Sequence, residues 1–200
     1  ILSMIFPAVY VAVATWHTSL LPTKLVLSMA EARQGVPFPA LGEILLMEIS
    51  FELLKEAGIR LPGPMGNTIG IVGGLIIGQA AVDASLVSPI VVIVVAFTAL
   101  CSFAIPNEEF ASAFRILKYG CIFMGAWLGL YGVALSGLWV LIHLSHLNSF
   151  GIPYLMPYVA ADVNGYEDKK DSLFRFPLKY CVRRPIFARR GERIKLRKRD

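Results

Sequence analysis

Three glutamates, Glu48, Glu52 and Glu56, recur every fourth residue. On a helix that spacing stacks the carboxylates on one face, a turn apart. A column of this kind has two uses. On a water-facing helix it is an acidic surface, with Lys55 three residues after Glu52 and able to pair with it. At membrane depth, where ionisable groups are expensive, it faces an aqueous pore or cavity and draws cations along it. Leu45, Leu46, Ile49 and Leu53 lie on the other side, so both uses place an amphipathic acidic helix over 41–57.

The other reactive residue types offer less. His143 and His146 are three apart, but two histidines fall short of the four ligands of structural zinc, so cavity or interfacial positions are expected. Cys101, Cys121 and Cys181 are odd in number and form no CxxC pair, which suits buried, reduced thiols. No phosphate-binding loop, HExxH or GxSxG motif occurs, and the serines have no evident base to activate them. Neither an enzyme, a cofactor nor a metal is expected.

The elements that hold the acidic column are strongly apolar. The chain of 200 residues is 56% hydrophobic and 16% charged, against about 45–50% and about 25% in soluble domains. Asp, Glu, Lys and Arg are absent from 1–23, 61–82, 84–107 and 119–161. A helix of 22 residues reaches about 33 Å, enough for a bilayer core of about 30 Å. Four spans are therefore expected, over about 1–17, 67–82, 89–105 and 119–143. A helix lying on the membrane surface is expected from Lys24 to Gln34, before the Gly35-Val36-Pro37 break. The run from Ile90 to Val95 would read as a strand in water, but its length and lack of charge favour a helix in lipid.

Small residues point to close helix packing. Gly66, Gly70, Gly74 and Gly78 are four apart, giving three overlapping GxxxG units, and Gly125 with Gly129 gives another. Such a stripe lets a second backbone approach closely, in the same chain or in another copy. Residues 169–200 hold 13 Lys/Arg and 3 Asp/Glu, whereas the rest holds 6 and 11. The segment 162–200 is therefore expected to be a basic cytoplasmic tail against anionic lipid headgroups, in preference to nucleic acid. The chain opens on Ile1 inside an apolar run, so an upstream soluble region is expected to precede it.

Several of these stretches carry a family likeness. They are Pro37-Phe38-Pro39-Ala40-Leu41 through Glu56-Ala57-Gly58-Ile59-Arg60-Leu61-Pro62, the run from Gly70 to Val82, Val87-Ser88-Pro89, Ser102-Phe103-Ala104-Ile105-Pro106 and Gly151-Ile152-Pro153-Tyr154. Together they resemble the A-subunit family of bacterial spore germinant receptors, which includes stage V sporulation protein AF; the basic tail resembles it only loosely. The resemblance implies an integral protein of the spore inner membrane. It implies a transporter-like B subunit that senses the nutrient, a lipoprotein C subunit, and homo-oligomeric rings that release monovalent cations.

The fold expected is thus all-α and integral to the membrane: about four spans, the acidic helix and the basic tail. The function expected is nutrient-triggered cation release through an oligomeric channel, with Glu48, Glu52 and Glu56 lining the path. The alternative is a non-conducting scaffold that holds the transporter-like partner.

Overall fold

A computed structural model describes residues 1–60, 65–105, 108–149 and 152–155. Their regular structure is α-helical apart from a 3-10 turn and one pair of short strands. Its helices are α1 (Leu2–Thr15), α2 (Thr23–Ala32), α3 (Ala40–Arg60), α4 (Met65–Asp83), α5 (Pro89–Phe103), α6 (Glu108–Leu128) and α7 (Leu130–His146), and a 3-10 turn, Thr18–Leu20, follows α1. The basic tail, Cys181 and Gly151 of the 151–154 signature lie outside the described residues.

The chain divides into two compact units, Ile1–Leu138 and Trp139–Asp200. In the first, α1 packs against α5 and α6, and α3 packs against α4 and α5 while touching α1 and α6. The core is assembled where these helices meet, from Met4, Ala8, Val11, Ile44, Met47, Val91, Val95 and Ile122. In the second, Trp139 stacks on His143 with ring centroids 6.0 Å apart. There β1 (Asn148–Ser149) pairs antiparallel with β2 (Ile152–Pro153).

Local chemistry explains several boundaries. Pro22 precedes α2 in extended conformation, and Pro89 occupies the first turn of α5, where its missing N–H costs nothing. The β-branched start of α5 is helical, because it is buried against α1 and α3 and because a helix satisfies its own backbone.

Two features depart from the expected spans. The segment over 119–143 is not one helix. α6 begins at Glu108 and ends at Leu128, and Gly129 adopts φ +63° before α7 starts. A left-handed residue cannot continue a right-handed helix, and glycine takes that conformation without a Cβ clash. The Trp16 indole then donates to the Ala126 carbonyl at 2.8 Å, satisfying one acceptor at the break. Second, among the described residues no helix is long and apolar enough to cross a membrane. The apolar helices α1, α5 and α7 have 14, 15 and 17 residues. The helices α3 and α6 have 21 residues each, but both carry charges within them.

Candidate functional site

The acidic column occupies one face of α3 and meets α6 running antiparallel to it. Arg115 and Lys118, one turn apart on α6, face the three carboxylates. Lys118 Nζ donates to Glu48 Oε2 at 2.6 Å and lies 4.0 Å from Glu52 Oε2. Arg115 Nη1 lies 2.7 Å from Glu52 Oε1 and 3.9 Å from Glu56 Oε2. Each cation therefore spans two neighbouring carboxylates. The Arg115–Glu52 approach is close but poorly aligned, so the buried Glu52 Oε1 accepts no hydrogen bond. At the outer end, Arg60 holds Glu56 Oε1 at 2.9 Å.

Burial falls steadily along the column. The side chain of Glu48 is 3% exposed, Glu52 21% and Glu56 46%. Glu48 is the most deeply buried of the three, and it is also the best partnered. Besides Lys118, it has the Thr98 hydroxyl of α5 at 3.1 Å from its Oε1. That hydroxyl carries a single proton, shared between the carboxylate and the Val94 and Val95 carbonyls. Lys55, one of the cations that α3 itself offers, donates to Ser102 of α5 at 2.9 Å.

Beside the column, α3, α4 and α5 border a half-open cavity of about 630 Å³. Glu48, Glu52, Thr98 and Lys118 form a polar part of its wall, and Gly70, Gly74 and Gly78 belong to the apolar part. A Cβ on Gly74 would come 2.9 Å from the Phe51 ring, and one on Gly78 3.1 Å from Val92, whereas one on Gly70 would meet nothing within 4 Å. Gly73, off the stripe, is as tight, 2.9 Å from Leu54. Gly66 lies in α4, in a part where only the backbone is described. Glycines that face backbone lie elsewhere: a Cβ on Gly132 of α7 would meet the Met124 carbonyl across the break, and one on Gly125 would sit 2.8 Å from the Ala8 carbonyl oxygen, where α6 crosses α1. Gly129 serves the helix break.

Sequence reasoning passed over Glu43. It is fully buried at the start of α3 and joins three elements. Its Oε1 takes Arg33, just past α2, at 3.0 Å, and its Oε2 accepts the Ser88 backbone amide, before α5, at 2.8 Å. Glu43 lies five residues before Glu48, off the four-residue period, so periodicity gave no signal for it. Among the described residues, no group of three or more His, Cys, Asp or Glu side chains is placed to hold a metal ion.

Residues 1–187 match the family described as Bacillus/Clostridium GerA spore germination protein. The chain is 46% identical over 187 residues to spore germination protein GerLA of Bacillus cereus, covering 94% of this chain and 37% of that protein. It is 43% identical over 194 residues to spore germination protein KA of Bacillus subtilis, covering 97% and 35%. It is also 43% identical over 201 residues to the uncharacterized membrane protein YfkQ of Bacillus subtilis, covering 99% and 38%. The chain thus spans little more than a third of the length of these relatives. No solved structure matches it.

Proposed function

The chain belongs to the Bacillus/Clostridium GerA spore germination protein family, and on that premise we propose that it is a membrane-embedded part of a germinant-receptor A subunit that takes part in nutrient-triggered cation release. Its partners in this reading are a transporter-like B subunit, a lipoprotein C subunit and further copies of itself. Its location is the spore inner membrane, with the basic tail cytoplasmic.

The observation that carries the membrane reading is an inverted distribution of polarity. Glu43, Glu48, Ser88, Thr98 and Lys118 are buried, while Trp127 is 81% exposed, Ile116 77% and Leu75 70%. Water would penalise both halves of that arrangement, whereas lipid favours an apolar exterior over internally paired charges. At about 1.5 Å per residue, α1 and α5 reach roughly 21–23 Å, short of a core of about 30 Å. They would sit in lipid as parts of a packed bundle, their polar ends covered by neighbouring helices.

For conduction, the graded carboxylate column supports an acidic path, with Glu56 the most open to solvent. A scaffold remains the second reading, and the ion pairs to Arg115 and Lys118 favour it, since charges that only hold helices together need no water. Glu52→Gln separates the two, because it keeps size and removes charge. On the conducting reading cation release per molecule changes, whatever the loss of the Arg115 contact does to the protein level. On the scaffold reading the level falls, because Arg115 loses its nearest partner, and release per molecule stays the same.

A further inference from the structure

We propose that Arg115 and Lys118 are a stepping pair of counter-ions, and that Lys118 plugs the buried end of the acidic column until it steps off Glu48. The proposal concerns the regulation of the acidic path and rests on the conducting reading above.

The geometry has three carboxylates on α3 facing two cations on α6. Both cations already reach their next acceptor: Lys118 is 4.0 Å from Glu52 Oε2 and Arg115 is 3.9 Å from Glu56 Oε2. A move by one carboxylate towards Glu56 therefore needs a change of side-chain rotamer, not a slide of the helix. Two further observations lower the barrier. Glu52 Oε1 holds Arg115 without an aligned hydrogen bond, so leaving it forfeits little directional bonding. Glu56, where Arg115 would arrive, is held by the exposed Arg60, a surface pair that gives way cheaply.

The step changes the inner end most. With Lys118 on Glu52, the partner that Glu48 keeps among the described residues is the Thr98 hydroxyl. A buried carboxylate without a counter-ion is strongly unfavourable. The stepped state is therefore populated only when another cation takes the place of the ammonium, from the cavity that Glu48, Thr98 and Lys118 line. An ammonium on Glu48 balances a single charge, so its replacement is a monovalent cation. Plug and permeating ion then exchange one for one, and the column stays closed while Lys118 is home.

The test uses the full-length receptor in its spore membrane, with protein level and nutrient-triggered release of potassium measured together. Glu56→Gln removes the landing site for Arg115 and leaves the Lys118–Glu48 pair intact. Release should slow by about tenfold or more, the worth of one charge-assisted contact, at normal protein level. Glu56→Asp, which keeps the charge, should restore most of the rate. With Lys118→Gln made alongside, Glu56→Gln should have no further effect, since no plug remains on Glu48 for the step of Arg115 to release. If the Lys118 variant fails to accumulate, the contrast between Asp and Gln at position 56 decides. Wild-type release in Glu56→Gln, equal slowing by Asp and Gln, or equal slowing by Gln with and without Lys118 overturns the stepping pair. If Glu52→Gln still alters release in that case, the conducting reading survives. If no substitution at any of the three glutamates alters release, the conducting reading fails as well.

Discussion

Two ends of one helix handle buried charge in opposite ways. At the start of α3, Glu43 is gripped from two sides by unlike donors, the Arg33 guanidinium at 3.0 Å and the Ser88 amide at 2.8 Å. One donor is backbone, so this junction has a single arrangement. Further along, Glu48, Glu52 and Glu56 face two cations on long side chains that each reach two carboxylates. That arrangement is degenerate. The contrast teaches that the same residue type builds an anchor where the acceptor is fixed by backbone. It builds an adjustable column where the partners are long side chains on another helix.

The most severe test of the anchor is Glu43→Ala. It leaves the Ser88 amide unsatisfied in the core and removes the partner of Arg33. Breaking such a buried pair costs about 3–5 kcal/mol. The variant should nearly vanish from the membrane fraction, and protease resistance of what remains should drop. Glu43→Gln, which can still accept from Ser88, should be milder. Equal, small effects of both would mean that Glu43 anchors nothing.

A second comparison sets a glycine that faces the backbone of another helix against glycines that face only side chains. Gly125→Ala sets a methyl against the Ala8 carbonyl oxygen, which cannot move without moving α1. Overpacking of this sort costs about 1–3 kcal/mol. Gly74→Ala meets only the edge of the Phe51 ring, which borders the cavity and has space to turn. Gly73→Ala meets only the Leu54 methyl. Thermal unfolding should rank Gly125→Ala well below the other two, which should lie close together. A Gly74 variant as damaged as the Gly125 variant would show that the α4 stripe packs against something beyond this chain.

What could be read in advance follows from the range of each interaction. The face shared by Glu48, Glu52 and Glu56 is a local property of helical period, and the start of α5 at Pro89 is local too. The partners of the column are not local. Arg115 and Lys118 lie about sixty to seventy residues away in the chain, and only the crossing of α3 with α6 brings them together. Nearby Lys55 is the partner that spacing suggests, and Arg60, four residues after Glu56, is equally local. Arg60 does reach Glu56, while Lys55 turns to Ser102. The break at Gly129 was hidden for a related reason. A glycine four residues after Gly125 looks like a packing stripe, and only its positive φ separates a helix break from a flat face.

The smallest effect on stability is expected at the outermost rung, and it bears on the adjustable end of the comparison. Arg60 is 77% exposed and pairs with Glu56 four residues earlier on the same helix. Exposed pairs at this spacing contribute about 0.3–0.5 kcal/mol, so Arg60→Ala should leave protein level and thermal unfolding almost unchanged. Its effect on release should have the opposite sign to that of Glu56→Gln. Removing Arg60 frees the acceptor towards which Arg115 steps, and at 0.3–0.5 kcal/mol the step becomes easier by roughly twofold. Release should therefore quicken slightly while stability holds. A slower release at unchanged level would mean that Arg60 helps to hold Glu56 in place for conduction, and that its competition with Arg115 has no part in gating.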